Sequence, residues 1–157
     1  REDRDRELPD DLLVGRVAGR REPRVVAGDL GRDVRAIPAD NFGLNLDPSH
    51  LVWLMIDYER AVYDFADRIF HVHAKDLEVR RDGLYRHGTF SAGIGWQVPR
   101  IPGLGEVDWS RYIAALHAIG YDYVVSVEHE DRRFEADETA VKRGFVIARN
   151  ALRPFIA

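Results

Sequence analysis

The sequence predicts an α/β fold made of about three consecutive β–α units. From Asn41 onward, short apolar runs alternate with longer amphipathic runs, which is the pattern of strands and helices around a parallel sheet. The chain has 157 residues, 45% of them hydrophobic and 32% charged, as expected of one soluble globular domain with a hydrophobic core. We therefore expect the strands to run parallel and the helices to cover the sheet.

Each predicted strand has one apolar and one polar face. The strands are expected at about 42–47, 69–76 and 123–130. Alternate side chains of a strand share a face. The polar faces therefore carry, in chain order, Asn45 and Asp47, His71 and His73, and Ser126 and Glu128.

Helix signals follow each predicted strand. Asp57 and Asp108 are good N-caps, and Gly120 stands where a glycine ends the second helix. The last helix should begin at about Asp137 or Glu138. We expect its sheet-facing side to carry Val141, Phe145, Ala148 and Leu152.

A segment rich in Gly and Arg, residues 81–107, separates the second and third units. It is too long for a plain connection in a compact domain, so we predict a binding loop.

Composition excludes several classes of function. The formal charge is −4 and no basic stripe is present, which argues against a nucleic-acid partner. The chain has no cysteine, which removes disulfide scaffolds and thiolate metal sites. No apolar run is long enough for a secretory signal or a membrane span, so we expect a cytoplasmic protein without a membrane partner.

Polar side chains mark the ends of all three strands. Parallel strands bring their carboxyl ends to one rim, so Asp47, His73 and Glu128 should converge there. One imidazole and two carboxylates suit a single Mg²⁺, Mn²⁺, Co²⁺ or Zn²⁺ ion.

Each of these residues taken alone also has a structural explanation. Asp47 before Pro48 is typical of a helix cap or an Asx turn, and Glu128 is typical of a solvated charge run. These explanations give no reason for three such residues to coincide at successive strand ends. We therefore favour a metal site.

Four ordered segments resemble the sugar phosphate isomerase/epimerase family, the xylose-isomerase-like TIM barrels. They are GLNLDPSHL (43–51), IFHVHAKD (69–76), GLGEVDW (103–109) and SVEHED (126–131). The resemblance implies that residues 37–157 are the C-terminal part of a (β/α)8 TIM barrel, incomplete in this chain. It also implies one divalent ion held by Glu, Asp, His and Glu from four late strands, the last three matching Asp47, His73 and Glu128.

The resemblance assigns further roles. His50, Lys75 and Asp76 stand where family members place groups that contact the substrate. Arg100, before the GLGEVDW motif, is either a group that binds an anionic substrate or a surface-loop arginine. Glu128 would be the catalytic carboxylate that moves a proton next to a carbonyl through an enediolate. The implied substrate is a small sugar or hydroxy-carbonyl compound, and a homo-oligomeric state stays open.

Other functions fit the same motifs. A polyol dehydratase of the same superfamily would use the same ion and base. An AP endonuclease IV-like phosphodiesterase would need more His and Glu ligands than the chain supplies. A truncated, non-catalytic product would keep the motifs without the activity.

Residues 1–36 do not resemble the family in the given reading frame. Their composition, which is rich in Arg, Val, Ala, Gly and Asp, suggests GC-rich DNA read out of frame. With permitted synonymous codons, the next frame can encode a string with IENCPM and WPGG, which family members carry before the metal aspartate. The missing metal glutamate would then be encoded across Arg6 and Glu7. We hypothesise that residues 1–36 are a frameshifted translation of a barrel segment, and that the chain lacks a complete metal site and folds poorly alone.

Overall fold

The computed structural model describes residues 36–37, 41–90 and 95–156. The predicted irregular segment 1–36 lies outside these residues except for Ala36. In chain order the elements are β1 (Leu44–Leu46), α1 (Pro48–Trp53), α2 (Tyr58–Asp64), β2 (Ile69–Ala74), β3 (Asp76–Val79), α3 (Arg81–His87), β4 (Gln97–Arg100), α4 (Trp109–Ala118), β5 (Val125–Val127), a 3₁₀ helix (Arg132–Phe134) and α5 (Glu138–Leu152).

The main sheet contains the three predicted strands. Its order is β1-β2-β5, and both pairings are parallel. In the register, Leu46 pairs with Val72 and His73 pairs with Ser126. The carboxyl ends of all three strands therefore lie at one rim, as the β–α pattern predicted.

The core lies on the apolar faces of these strands. Leu44, Leu46, Val72 and Ala74 are each fully buried. They belong to one cluster with residues of α2 and α4, among them Ala61, Val62, Tyr112, Ile113 and Leu116. Burial of these faces is the main stabilising contribution to the fold.

The predicted helix caps are confirmed. The side chains of Asp57 and Asp108 accept hydrogen bonds from the backbone N–H groups of Arg60 and Arg111. Asp137 caps α5 in the same way. Gly120 follows α4 with φ = 73°, a left-handed conformation that glycine adopts without strain.

One predicted contact of α5 is wrong. Ala148 and Leu152 are buried, but Phe145 is 43% exposed. The buried residues of α5 are Gly144, Ala148 and Leu152, which are spaced four residues apart. Gly144 has no side chain, so His129 and Ile101 approach the helix closely at this position. The side of α5 that packs against the rest of the fold therefore runs through Gly144, Ala148 and Leu152, and Phe145 lies beside it.

The described residues of segment 81–107, which was predicted to be a binding loop, include a helix and a strand. Its residues 91–94 lie outside the described ranges, but α3 and β4 lie within it. Strand β4 pairs antiparallel with β3, so that Asp76 lies opposite Arg100 and Val79 opposite Gln97. A second small core formed by Leu77, Val79 and Trp96 stabilises this hairpin. Within the described ranges, no helix is long and apolar enough to cross a bilayer.

Candidate metal centre

Asp47 lies at the rim directly after β1, at the start of α1. Its Oδ1 accepts a hydrogen bond of 2.8 Å from the backbone N–H of Ser49 and so caps the helix. Its Oδ2 is buried and accepts no hydrogen bond in the structure. The cap therefore fixes the carboxylate and leaves one oxygen, already out of water, for a cation.

His73 and Glu128 come from the two neighbouring strands. His73 lies in β2, and Glu128 directly follows β5. The backbone N–H of Glu128 donates to the carbonyl of Ala74, which continues the ladder beyond the end of β5. This register brings Nδ1 of His73 to 3.1 Å from Oε2 of Glu128.

The three predicted ligands converge. Asp47, His73 and Glu128 each offer one ligand atom, and these atoms lie within 4.8 Å of one another. A divalent ion with bonds of about 2.1 Å keeps its ligand atoms about 3–4 Å apart. Together with Oδ2 of Asp47, which accepts no hydrogen bond and already faces a cation, the ammonium of Lys75 at 3.3 Å, this spacing fits a divalent ion after a small adjustment of the side chains.

Lys75 and His50 border the same cluster. Nζ of Lys75 lies 2.8 Å from Oε2 of Glu128 and 3.3 Å from Oδ2 of Asp47. Nε2 of His50 lies 3.3 Å from the same Nζ and 3.6 Å from Oδ2 of Asp47. Both residues therefore lie beside the candidate ligands Asp47 and Glu128.

Charge pairing keeps Lys75 and Glu128 ionised. Burial alone would lower the pKa of Lys75, but its hydrogen bond to Glu128, the charge of Asp47 and its hydrogen bond to Glu130 outweigh burial and raise it. Burial alone would raise the pKa of Glu128, but the ammonium of Lys75 and the neighbouring His73 outweigh burial and lower it. Glu128 is therefore a carboxylate at neutral pH and can accept a proton.

Asp76 does not join this cluster. It is fully buried, and its carboxylate accepts hydrogen bonds from the backbone N–H groups of Leu77, Gly103 and Val107 and from the indole of Trp109. These bonds hold the GLGEVDW segment against β3.

Arg100 also lies apart from the three candidate ligands. Its side chain is 6% exposed and donates to Glu78 (2.6 Å from Nε to Oε2) and to Asp131 (3.0 Å from Nη1 to Oδ1). Both of its partners are carboxylates of this chain.

Two contacts of the cluster were not predicted. Oε2 of Glu130 lies 3.1 Å from Nζ of Lys75. The side-chain amide nitrogen of Asn45 lies 3.2 Å from Nε2 of His73. The spacing of two residues from Ser126 through Glu128 to Glu130 is the sequence signal that would have indicated Glu130.

Known proteins match most of this chain. A family model described as the xylose isomerase-like TIM barrel matches residues 27–150. The chain also matches the crystal structure of a xylose isomerase domain protein from Planctomyces limnophilus, with a TM-score of 0.66 and 21% identity. This match covers 83% of the chain and 43% of that structure, and it shows that the fold is part of such a barrel.

Curated relatives are similar over a shorter stretch. The chain is 35% identical over 98 residues to the uncharacterized protein YfiH of Bacillus subtilis, covering 57% of the chain and 31% of that protein. It is 30% identical over 104 residues to inosose dehydratase of Lacticaseibacillus casei, covering 65% of the chain and 35% of that enzyme. The chain thus spans about a third of the length of these relatives.

Proposed function

Because the chain belongs to the xylose isomerase-like TIM barrel family, we propose that it is the C-terminal part of a divalent-metal-dependent isomerase or epimerase. The proposed substrate is a small sugar or hydroxy-carbonyl compound. The observation that carries this proposal is the convergence of Asp47, His73 and Glu128 at one rim of the sheet. Mn²⁺, Mg²⁺, Co²⁺ or Zn²⁺ would suit this ligand set.

The residues of the site divide the chemistry between them. A bound ion would polarise the oxygens of the substrate and favour the enediolate. Glu128 would take the proton from the carbon next to the carbonyl, since Lys75 and His73 keep it ionised. Lys75 and His50, which lie beside Asp47 and Glu128, would donate hydrogen bonds to substrate hydroxyl groups.

The loop after β5 favours an uncharged substrate. TIM barrels often bind phosphate at the loops after their last strands and at the N-terminus of a short helix there. In this chain the carboxylate of Asp131 caps that short 3₁₀ helix and binds Arg133. Because Arg100 is also held by Glu78 and Asp131, we assign Arg100 and Asp76 structural roles rather than substrate contacts.

A polyol dehydratase is the second candidate. Two observations favour it: the similarity to inosose dehydratase and the carboxylate of Asp131 at the start of the 3₁₀ helix, which would repel a phosphate group. Proton abstraction by Glu128 would be shared, but loss of a hydroxyl group as water would follow it instead of reprotonation.

Hydrogen exchange tests both candidates. The chain, and a version carrying the alternative-frame segment in place of residues 3–36, are incubated with Mn²⁺ in D₂O. A panel of neutral ketoses and cyclic hydroxyketones and their phosphate esters is then followed by NMR. We expect deuterium to enter next to the carbonyl of a neutral compound in the second version, and Glu128→Gln to slow this by at least about 100-fold.

The products separate the two candidates. Deuterated starting sugar or its epimer indicates an isomerase or epimerase, whereas a product that has lost water indicates a dehydratase. Exchange that Glu128→Gln leaves unchanged would contradict the proposed base. Exchange confined to phosphate esters would contradict the uncharged substrate.

A further inference from the structure

Lys75 is surrounded by carboxylates that it shares with the proposed metal centre. Its Nζ lies 2.8 Å from Oε2 of Glu128, 3.1 Å from Oε2 of Glu130 and 3.3 Å from Oδ2 of Asp47. The side chains of Lys75 and Asp47 are each only 6% exposed, so water screens the contact between them little. One ammonium group thus holds together three carboxylates that would otherwise repel one another.

Two of these contacts involve the candidate ligand residues Asp47 and Glu128. Oδ2 of Asp47 accepts no hydrogen bond, and Oε2 of Glu128 faces both His73 and Lys75. An ammonium group and a divalent ion a few ångströms apart repel each other strongly in a site with little water. Lys75 and a divalent ion therefore compete for the same oxygens.

Glu130 differs from the other two carboxylates. It is not one of the three residues whose ligand atoms converge, and its side chain is 50% exposed. It also lines a cavity of about 340 Å³ together with Val98, Pro99, Arg132 and Glu135. Glu130 can therefore stay paired with Lys75 when a divalent ion binds Asp47 and Glu128, and the cavity beside Glu130 leaves open space for this pair.

We propose that Lys75 is the resident counter-cation of the metal centre and that Glu130 is a positioning residue that holds Lys75 when a divalent ion takes Asp47 and Glu128. This inference rests on the proposed metal centre. Glu130 then affects the metal affinity through Lys75, without contacting the ion.

Mn²⁺ titration at pH 8 tests the inference, with the signal of free Mn²⁺ followed by electron paramagnetic resonance. Lys75→Met should raise the affinity of the chain at least about tenfold, because the competing charge is gone. Glu130→Gln should lower it about tenfold, because Lys75 then has no other carboxylate and stays on Asp47 and Glu128, where it repels the ion. In the Lys75→Met background, Glu130→Gln should change the affinity less than about threefold, because the two residues act as one pair.

Glu135→Gln is the matched control. Glu135 lines the same cavity and carries the same charge, but it is not among the contacts of Lys75 described above. We expect this variant to change the affinity less than about twofold, since its charge is exposed and screened. An effect as large as that of Glu130→Gln would mean that any negative charge in the cavity suffices, and would overturn the inference.

Two further results would also overturn it. One is Mn²⁺ binding by Lys75→Met that is no tighter than that of the wild-type chain, including no binding by either. The other is an equal effect of Glu130→Gln in both backgrounds. Circular dichroism reports whether Lys75→Met folds. If this variant does not fold, the Mn²⁺ affinities of Glu130→Gln and Glu135→Gln decide, and equal affinities would overturn the inference.

His73→Ala separates this inference from the proposed metal centre. If Mn²⁺ binding survives His73→Ala, the ion is held elsewhere and the metal centre itself is wrong. If binding depends on His73 but not on Lys75 and Glu130 in the expected way, only the inference fails.

Discussion

Trp109 and Asp76 are joined by a buried hydrogen bond of 2.9 Å, from the indole Nε1 to Oδ2, across 33 residues of sequence. The other oxygen of Asp76 accepts from the backbone N–H groups of Leu77 and Val107 at 2.9 and 3.0 Å. One carboxylate therefore connects the start of β3, the GLGEVDW segment and the beginning of α4.

We predict that Asp76→Asn lowers the free energy of unfolding by about 3 kcal/mol or more, because an amide cannot accept from all of these donors and leaves some unsatisfied. Urea unfolding followed by circular dichroism measures this loss. Asp82→Asn is the control, since Asp82 is largely exposed in α3 and should change stability by less than about 0.5 kcal/mol. Equal effects of the two substitutions would contradict the anchoring role of Asp76.

Gly105 lies against the same carboxylate. A Cβ there would overlap Oδ1 of Asp76 and lie 2.6 Å from both the backbone N and O of Leu77. We predict that Gly105→Ala costs about 2–3 kcal/mol, because backbone atoms must move to make room. Gly120→Ala, at φ = 73° with no atom within 4 Å of the new Cβ, should cost only about 1 kcal/mol. Thermal melts of the two variants measure this difference. A lower melting temperature for Gly120→Ala than for Gly105→Ala would contradict the prediction.

The ion pairs of Arg100 should make the fold sensitive to acid. The hydrogen bonds from Arg100 lower the pKa of Glu78 below 4.5. Burial alone would raise the pKa of Asp131, but Arg133 and Arg100 outweigh it and lower the pKa below 3.8. Because the folded-state pKa values are lowered, this stability is present above about pH 4.5 and is lost as the pH falls through them.

We therefore predict that Arg100→Met lowers stability by about 3 kcal/mol at pH 7, because it leaves buried Asp131 with one partner fewer. It should also flatten the loss of stability between pH 5 and pH 3. Urea titrations at pH 7, 5, 4 and 3 measure both effects. Arg86→Met removes a largely exposed pair with Asp82, so it should neither lower stability nor change its dependence on pH. An unchanged acid sensitivity in Arg100→Met would show that other groups control it.

The sequence predicted the site better than it predicted the surroundings of the site. Asp47, His73 and Glu128 could be found because a period of two gives the face of a strand and parallel strands share a rim. The partners of Asp76 and Arg100 could not, because they depend on a hairpin that pairs residues about 20 positions apart. A short helix such as α1 also gives too little periodic signal, so the sequence left both a helix cap and an Asx turn open at Asp47, and the structure shows the cap.

Calorimetric titration with Mn²⁺ tests the central claim most directly. It compares the 157-residue chain with a version in which the alternative-frame segment replaces residues 3–36, each with and without Glu128→Gln. We predict tight binding of one ion only in the restored version, weak binding in the 157-residue chain, and loss of binding in both when Glu128 is replaced. Equal binding by the two versions would contradict the missing glutamate, and binding that Glu128→Gln leaves unchanged would contradict the metal centre.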